Sequence, residues 1–342
     1  MQDKPLVFFL IENTPTNFFE EAIVSNNYPS LVATKNIEDA NFLILPYSWE
    51  YYYKNKLFKQ LEDIISTTEK YNLKLIAITH GDYGYTPYTS QAITFRSGGY
   101  KTKNNNNQFL IPSFLQDPLK LYYDEKLCIR KKQIYPSIGF CGKANRNLST
   151  FFMDVTKMVI HNLKYELFVY KEESQIIIPT PNLIRVKALK TIEKSSFIIS
   201  NFVKRQKFFN GLPSNYSLEQ QHINILEFYE NIRNSDYTLC MRGAGNFSIR
   251  FCQVLAMGRI PVFINTDCNL PFDTIIPWRE IIPWIEYNEL HELPEKIADF
   301  HKKLSPRDFR EKQFRMRKIW KTYFTKDGFF GNLNSLVTST LN

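Results

Sequence analysis

The segment Cys240–Asp267, CMRGAGNFSIRFCQVLAMGRIPVFINTD, holds the densest set of residues able to do chemistry. A strand-like run, Tyr237–Met241, leads into Gly243 and Gly245, and a helical stretch follows from Ser248 to Met257. Glycines keep such a turn open, and Asn246 or Ser248 stands where a helix cap belongs. The first turn of a helix offers unpaired N–H groups and a partial positive charge. With Arg242 and Arg250 flanking that end, the expected chemistry is the binding of a diphosphate. The loop does not follow the P-loop pattern and lacks the full G-x-G-x-x-G, so an ordinary β-α-β crossover with surface arginines is the alternative. Gly258 is expected to end the helix before a second strand, Ile260–Ile264. Upstream, ISNFVKRQKFF (Ile199–Phe209) sets Lys204 and Arg205 just after an expected strand. This basic pair either meets a pyrophosphate from the opposite side or begins a solvated helix.

The elements around these residues alternate. Strand-like runs occur at Leu6–Ile11, Phe42–Leu45, Leu75–Thr79, Ile138–Cys141, Tyr165–Val169, Phe197–Ser200 and Ile281–Ile285, besides the two above. Helical spacing of apolar residues appears over Tyr53–Tyr71 and Thr150–Leu163, and a capping box at Ser217–Gln220 opens a helix to about Asn234. Two helices, Glu289–Leu304 and Pro306–Phe324, follow. Repeated βα units in both halves predict two parallel sheets covered by helices, with ligands beyond the carboxyl ends of the strands. Close glycine pairs (Gly81/Gly84, Gly139/Gly142 and Gly243/Gly245) fall at or just beyond such ends, and Gly98/Gly99 form a fourth pair.

Composition bounds the class. The chain has 342 residues, 44% hydrophobic and 15% aromatic, which excludes a disordered protein. No apolar run reaches the ~18–20 residues of a membrane span. Leu6–Ile11 lacks the charge-then-apolar order of a signal peptide, so a buried first strand is expected. Five cysteines without C-x-x-C argue against a zinc site and a disulfide scaffold, and for a reducing compartment. The formal charge of +9 raises nucleic acid, anionic membrane or phosphorylated ligands as partners. Nucleic acid is the lesser alternative, because the basic residues near the glycine loops are few and placed like phosphate clamps rather than as an extended stripe. Residues 301–323 hold nine lysines and arginines against Asp308 and Glu311, a net +7. That stretch is either a solvated face or a contact with anionic membrane.

The stretch SDYTLCMRGAGNFSIRFCQVLAMGRIPVFINTD, then Leu270-Pro-Phe272 and Trp278, resembles the exostosin-type glycosyltransferases. Weaker matches are Leu45-Pro46, His80–Gly84, Ile111-Pro112, Phe140-Cys-Gly142 and Trp320-x-x-Tyr323-Phe324. The resemblance implies an α/β GT-B fold, two Rossmann-like domains facing a central cleft, with the C-terminal helix packing back on the N-terminal domain. It implies an acceptor-side domain over 1–133, a nucleotide-sugar-binding domain over 134–305, and a crossover helix and tail over 306–342. It implies no obligatory metal, and a donor loop at Arg242, Gly243, Gly245, Asn246, Ser248 and Arg250. Gln253 stands where the family usually carries the glutamate that meets the nucleotide ribose; it keeps one acceptor and one donor and loses the charge. Lys204 and Arg205 join the donor side.

The implied function is inverting transfer from a nucleotide sugar, by family analogy a UDP-sugar, to a growing surface polysaccharide or oligosaccharide. A GDP-fucose-using enzyme and a non-catalytic carbohydrate- or nucleotide-binding module are the alternatives. Inversion needs a general base near the acceptor hydroxyl. The strand ends of the first half offer Glu12, Glu50, His80 and Asp82, and Asp82 is preferred, with His80 second. Trp49–Tyr53 and the asparagine-rich loop after Lys101 either shape an acceptor groove or simply pack. Asn147, Asn215 and Asn246 head N-x-Ser/Thr triplets, and a glycan on Asn246 would obstruct the donor loop. With no membrane anchor at its start, the chain is expected to be a bacterial cytoplasmic enzyme, peripheral to the inner membrane face if the basic helix touches lipid.

Overall fold

A computed structural model describes residues 5–11, 17–80, 87–103, 107–144, 180–206 and 218–337, with scattered helical positions between 152 and 163. The expected strand at Tyr165–Val169, the capping box at Ser217, and Asp82, Glu12, Asn147 and Asn215 lie outside the described residues.

The first sheet has six parallel strands in the order β2-β1-β3-β4-β5-β6. They are β1 Leu6–Phe9, β2 Leu31–Thr34, β3 Phe42–Ile44, β4 Lys74–Thr79, β5 Ala92–Arg96 and β6 Gln108–Leu110. The second has, among the described residues, five parallel strands in the order β11-β10-β9-β7-β8. These are β7 Ser137–Lys143, β8 Ile199–Arg205, β9 Tyr237–Cys240, β10 Ile260–Asn265 and β11 Trp284–Glu286. Central strands of a parallel sheet are covered on both faces and so read as continuous apolar runs. Every residue of β9 and β10 is buried accordingly, whereas β8, outermost among the described strands, is half polar and Ile199 is exposed. Two parallel, helix-flanked sheets make this a two-domain GT-B α/β fold.

Several expected boundaries move. The helix expected over Tyr53–Tyr71 is two, α1 Trp49–Lys54 and α2 Phe58–Lys70, broken where Lys56 takes φ 56°. The strand expected at Phe197–Ser200 starts later and extends to Arg205, so Lys204 and Arg205 end β8 instead of following it. Ile281–Ile285 is displaced to β11, because Trp278–Ile281 closes a short helical turn before Pro283.

The helices that shape the second domain are α3 Pro181–Glu193, α4 Leu218–Arg233, α5 Ile249–Ala256, α6 Leu293–Lys303 and α7 Pro306–Ile319. The chain between the sheets lies on this second domain, where Arg130 pairs with Asp236 at 2.6 Å and its backbone N–H donates to Gln313 at 2.9 Å. After α7 the chain passes through a π turn, Trp320–Phe324, and returns to the first domain. There Phe330 meets Phe19 at 5.3 Å, and Lys326 pairs with Glu21 at 2.9 Å.

Candidate functional site

In the described part of the second sheet the chain runs from β7 outward to β8 and then back to β9 on the other side of β7. The reversal leaves a crevice between the carboxyl ends of β7 and β9, the usual ligand position in open α/β sheets. A cavity of about 590 Å³ occupies it. Its walls are the ends of β7 (Cys141–Lys143) and β9 (Met241, then Gly243 and Ala244), the start of α5, and Ile225, Phe228 and Tyr229 of α4.

The loop after β9 is pinned by a backbone bond from the Gly243 N–H to the Phe247 carbonyl, 2.9 Å. It delivers the chain to α5, whose N-cap Ser248 makes no side-chain cap bond. The first-turn amides of α5 therefore receive no capping oxygen from Ser248, and the helix dipole points its positive end into the crevice. Gly258, at φ 63°, ends the helix as expected.

Arg250 forms the floor. Its Nη2 donates to the Cys141 carbonyl at 2.7 Å, and its guanidinium lies 4.3 Å from the centre of the Phe140 ring. Nε is buried with no hydrogen-bond partner. Burial pulls the Arg250 pKa below its usual value, but an arginine this basic keeps its charge. Gly142 makes the placement possible: a Cβ there would stand 2.7 Å from Arg250 Nη2.

Three more cations line the cavity: Lys143, Arg185 and Arg205. Arg185 donates to the Arg242 carbonyl at 3.2 Å, and Arg205 donates to the Asn224 carbonyl at 3.0 Å and pairs with Glu227. Among the described residues no carboxylate lines the cavity. Gln253 faces the same space, its amide hydrogen-bonded to the Tyr229 hydroxyl; burial pushes the Tyr229 pKa up to about 12.

The sequence-selected residues thus separate into two groups. Gly243, Ser248, Arg250, Gln253 and Arg205 border the cavity. Lys204, Arg242, Gly245 and Asn246 do not. Lys204 is on the alternate face of β8, paired with Glu193. Arg242 is 1% exposed and donates to the Ala244 carbonyl at 2.8 Å and to the Tyr100 hydroxyl at 3.3 Å. Asn246 is 3% exposed and is no helix cap: its amide donates to the carbonyls of Gly99 and Thr266, each 3.0 Å away. Its oxygen accepts from Thr266 Oγ1 and Cys268 Sγ, each at 2.8 Å.

Both Arg242 and Asn246 join the domains, because the loop after β5 is laid against the loops after β9 and β10. Lys101 donates its backbone N–H to the Asp267 carbonyl at 2.9 Å, and Thr102 Oγ1 donates to the Asp267 carboxylate at 2.6 Å. Gly98 permits this approach, since a Cβ would sit 2.9 Å from the Phe247 ring.

On the first domain, His80 is exposed at the end of β4, and its backbone N–H donates to Glu50 Oε1 at 2.8 Å. Glu50 is 6% exposed, and its Oε2 is buried without a partner. Trp49 and Tyr52 pack in the core, while Tyr51 is partly exposed and stacks on Tyr47 at 4.2 Å. Sequence reasoning missed Lys143 and Arg185. Lys143 adjoins the Cys141-Gly142 strand end and was within reach of that signal; Arg185 lies mid-helix with no local motif.

The distant aromatic matches also meet. Phe324 approaches Trp278 at 5.9 Å and Phe251 of α5 at 6.3 Å, and Tyr323 packs on Phe272 at 5.0 Å. They buttress α5 from behind.

A two-domain α/β protein with a cationic crevice at a strand-order reversal is thereby defined. Residues 163–299 match the profile described as Exostosin GT47 domain. That match spans 137 of the 342 residues and supports an exostosin-type glycosyltransferase domain over that part of the chain. No curated protein matches the sequence. Among solved structures, TarM is 9% identical, with 78% of this chain and 50% of that one covered at a TM-score of 0.36. A point mutant of S. aureus TarM, in complex with fondaparinux, alpha-GlcNAc-glycerol and UDP, is 9% identical, with 87% and 55% covered at a TM-score of 0.38. The chain spans about half the length of these solved structures.

Proposed function

We propose that this chain is an inverting glycosyltransferase that moves a sugar from a nucleoside-diphosphate donor, a UDP-sugar by expectation, to a hydroxyl of a growing surface polysaccharide or oligosaccharide. The observation that carries this reading is the charge of the cavity: Lys143, Arg185, Arg205 and Arg250 line it, and among the described residues no carboxylate does. A departing diphosphate gains negative charge as the glycosidic bond breaks, and fixed cations at a helix N-terminus stabilise that charge without reorganising. Gln253 serves the ribose with one acceptor and one donor while Tyr229 holds its orientation.

In the transfer, the acceptor oxygen bonds to the anomeric carbon as the bond from that carbon to the diphosphate oxygen breaks. The hydroxyl proton passes to a base on the first domain, and the electron pair leaves with the diphosphate. His80 and Asp82 are the residues assigned to that base. Glu50 is a positioning residue, fixing the His80 backbone through its 2.8 Å bond. Calorimetry with UDP and GDP, followed by a donor screen with mass spectrometry of the products, tests the reading. UDP binding and glycosyl transfer are expected. Tighter binding of GDP moves the assignment to a GDP-sugar enzyme. Binding with no turnover of any donor, even by hydrolysis, leaves a nucleotide-binding module and ends the transferase reading.

A further inference from the structure

The cations between His301 and Tyr323 divide into two sets. Arg317 is buried, donating to the Ala256 carbonyl at 2.5 Å and paired with Asp117, and Lys312 donates to the Ile281 carbonyl at 2.9 Å. These two fasten α7 to the second domain. Lys302, Lys303, Arg307, Arg310, Lys318 and Lys321 are exposed, as is Arg315 beside them.

At ~100° per residue, Arg307, Arg310, Phe314 and Lys318 share one face of α7, and Lys321 continues it into the π turn. Phe314, at the middle of this face, is 45% exposed, with the Arg310 guanidinium 5.8 Å from its ring centre. Glu311 borders the face and is bonded to Arg307 at 2.7 Å; Asp308 is held in the capping box with Ser305. The opposite face, with Phe309, Gln313 and Met316, is buried.

We infer that this outer face of α7 docks on the headgroup region of an anionic lipid bilayer. Charge complementarity supplies the attraction, since each lysine or arginine near an anionic surface strengthens partition by about fivefold. An exposed phenylalanine centred among the cations adds the apolar contact that a headgroup–acyl boundary accepts and a soluble polyanion does not. Among the described residues no helix is long and apolar enough to cross a membrane, so this contact is peripheral. The inner face of α7 packs on α5, whose first turn borders the cationic cavity. A bilayer on the outer face is therefore separated from that cavity by two helices, α7 and α5. The inference does not depend on the cavity's ligand.

The test is co-sedimentation of the full chain with vesicles of phosphatidylglycerol and phosphatidylcholine in about equal parts, against pure phosphatidylcholine, at ~0.1 M salt. Preference for the anionic vesicles by at least ~10-fold, weakening as salt rises, is expected. The double variant Arg310→Glu/Lys318→Glu, at exposed positions, loses that preference, with anionic partition at least ~10-fold weaker. Phe314→Ser loses about 3- to 10-fold on vesicles and leaves retention on a heparin column unchanged. Equal partition to both vesicles, or anionic binding untouched by the double variant, overturns the inference. Heparin retention without vesicle binding also overturns it and assigns the face to a soluble polyanion.

Discussion

Arg250→Gln removes the cation at the cavity floor and keeps a side chain able to hydrogen-bond. In the structure the guanidinium spends two N–H groups on the carbonyls of Cys141 at 2.7 Å and Leu239 at 3.5 Å, and its buried Nε–H has no partner. A diphosphate in the cavity would therefore meet a cation with donors to spare and, among the described residues, no carboxylate competing for it. A hydrogen bond between charged groups is worth ~1.5–3 kcal/mol, so the variant should bind nucleoside diphosphate roughly 10- to 150-fold more weakly. Arg250→Lys keeps the charge but not the flat stacking on Phe140, and should recover to within about 10-fold of the parent. Folding should change little. The variant gives up the stacking, worth ~0.5–1 kcal/mol, but also the cost of burying a cation near Arg205. Calorimetry with UDP and GDP reads the affinity directly, and thermal unfolding with and without nucleotide gives an independent check. At ~100 times the parent dissociation constant, ligand stabilises the parent by ~2.7 kcal/mol; for a variant ~50-fold weaker the same concentration gives only ~0.6 kcal/mol. If the glutamine variant binds within threefold of the parent, Arg250 does not touch the diphosphate and the reasoning fails.

Gly142→Ala should weaken nucleotide binding about 5- to 10-fold at little cost in stability, because its methyl meets only the movable end of Arg250. Gly139→Ala should do the reverse. Its Cβ would lie 2.4 Å from Ser235 Oγ, costing ~1–3 kcal/mol in urea unfolding while nucleotide affinity of the folded fraction holds. Asn246→Ala should destabilise by ~1–3 kcal/mol in the same assay, since it strips partners from the Gly99 and Thr266 carbonyls; an unchanged midpoint would dismiss it as a joint between the domains. His301 supplies a pH dependence: its Nε2–H donates to the Gln133 carbonyl and Nδ1 accepts from the Tyr237 hydroxyl, both at 2.8 Å, and burial lowers its pKa below 6.5. Below about pH 6.5 the unfolded chain takes up a proton that the folded chain refuses, so stability should fall from there down to the depressed folded value. Thermal midpoints of the parent and His301→Gln between pH 7.5 and 5.5 should converge as pH falls; parallel curves would refute the assignment.

The second domain was the more legible in sequence. Tyr237–Asn265 follows one local logic, apolar strand, glycine turn, helix, glycine stop, strand, and each step depends on neighbours in the chain. The first domain concealed more. β5, Ala92–Arg96, ends in an arginine that is fully buried because Gln108 Oε1 accepts from it at 2.7 Å, a partner that local periodicity does not reveal. Asn246 reads as a cap from its place before a helix, yet the Gly99 carbonyl arrives from 147 residues away and claims the side chain. The glycine pairs marked close approach correctly in kind, but at Gly98 and Gly139 what approaches is the protein itself. Position along the chain could reveal the donor loop; it could not reveal which of its polar residues hold the domains together.

The return of the chain to the first domain has a consequence for the order of assembly. Phe329 and Phe330 are fully buried and pack against Phe19 and Phe95, which belong to the first domain's own core. During synthesis, the first six strands are complete some 220 residues before those two rings leave the ribosome. Until then the nascent domain presents an uncovered aromatic surface. The N-terminal sheet is thus made first and finished last, and a break in translation anywhere in the second domain leaves the first one open as well.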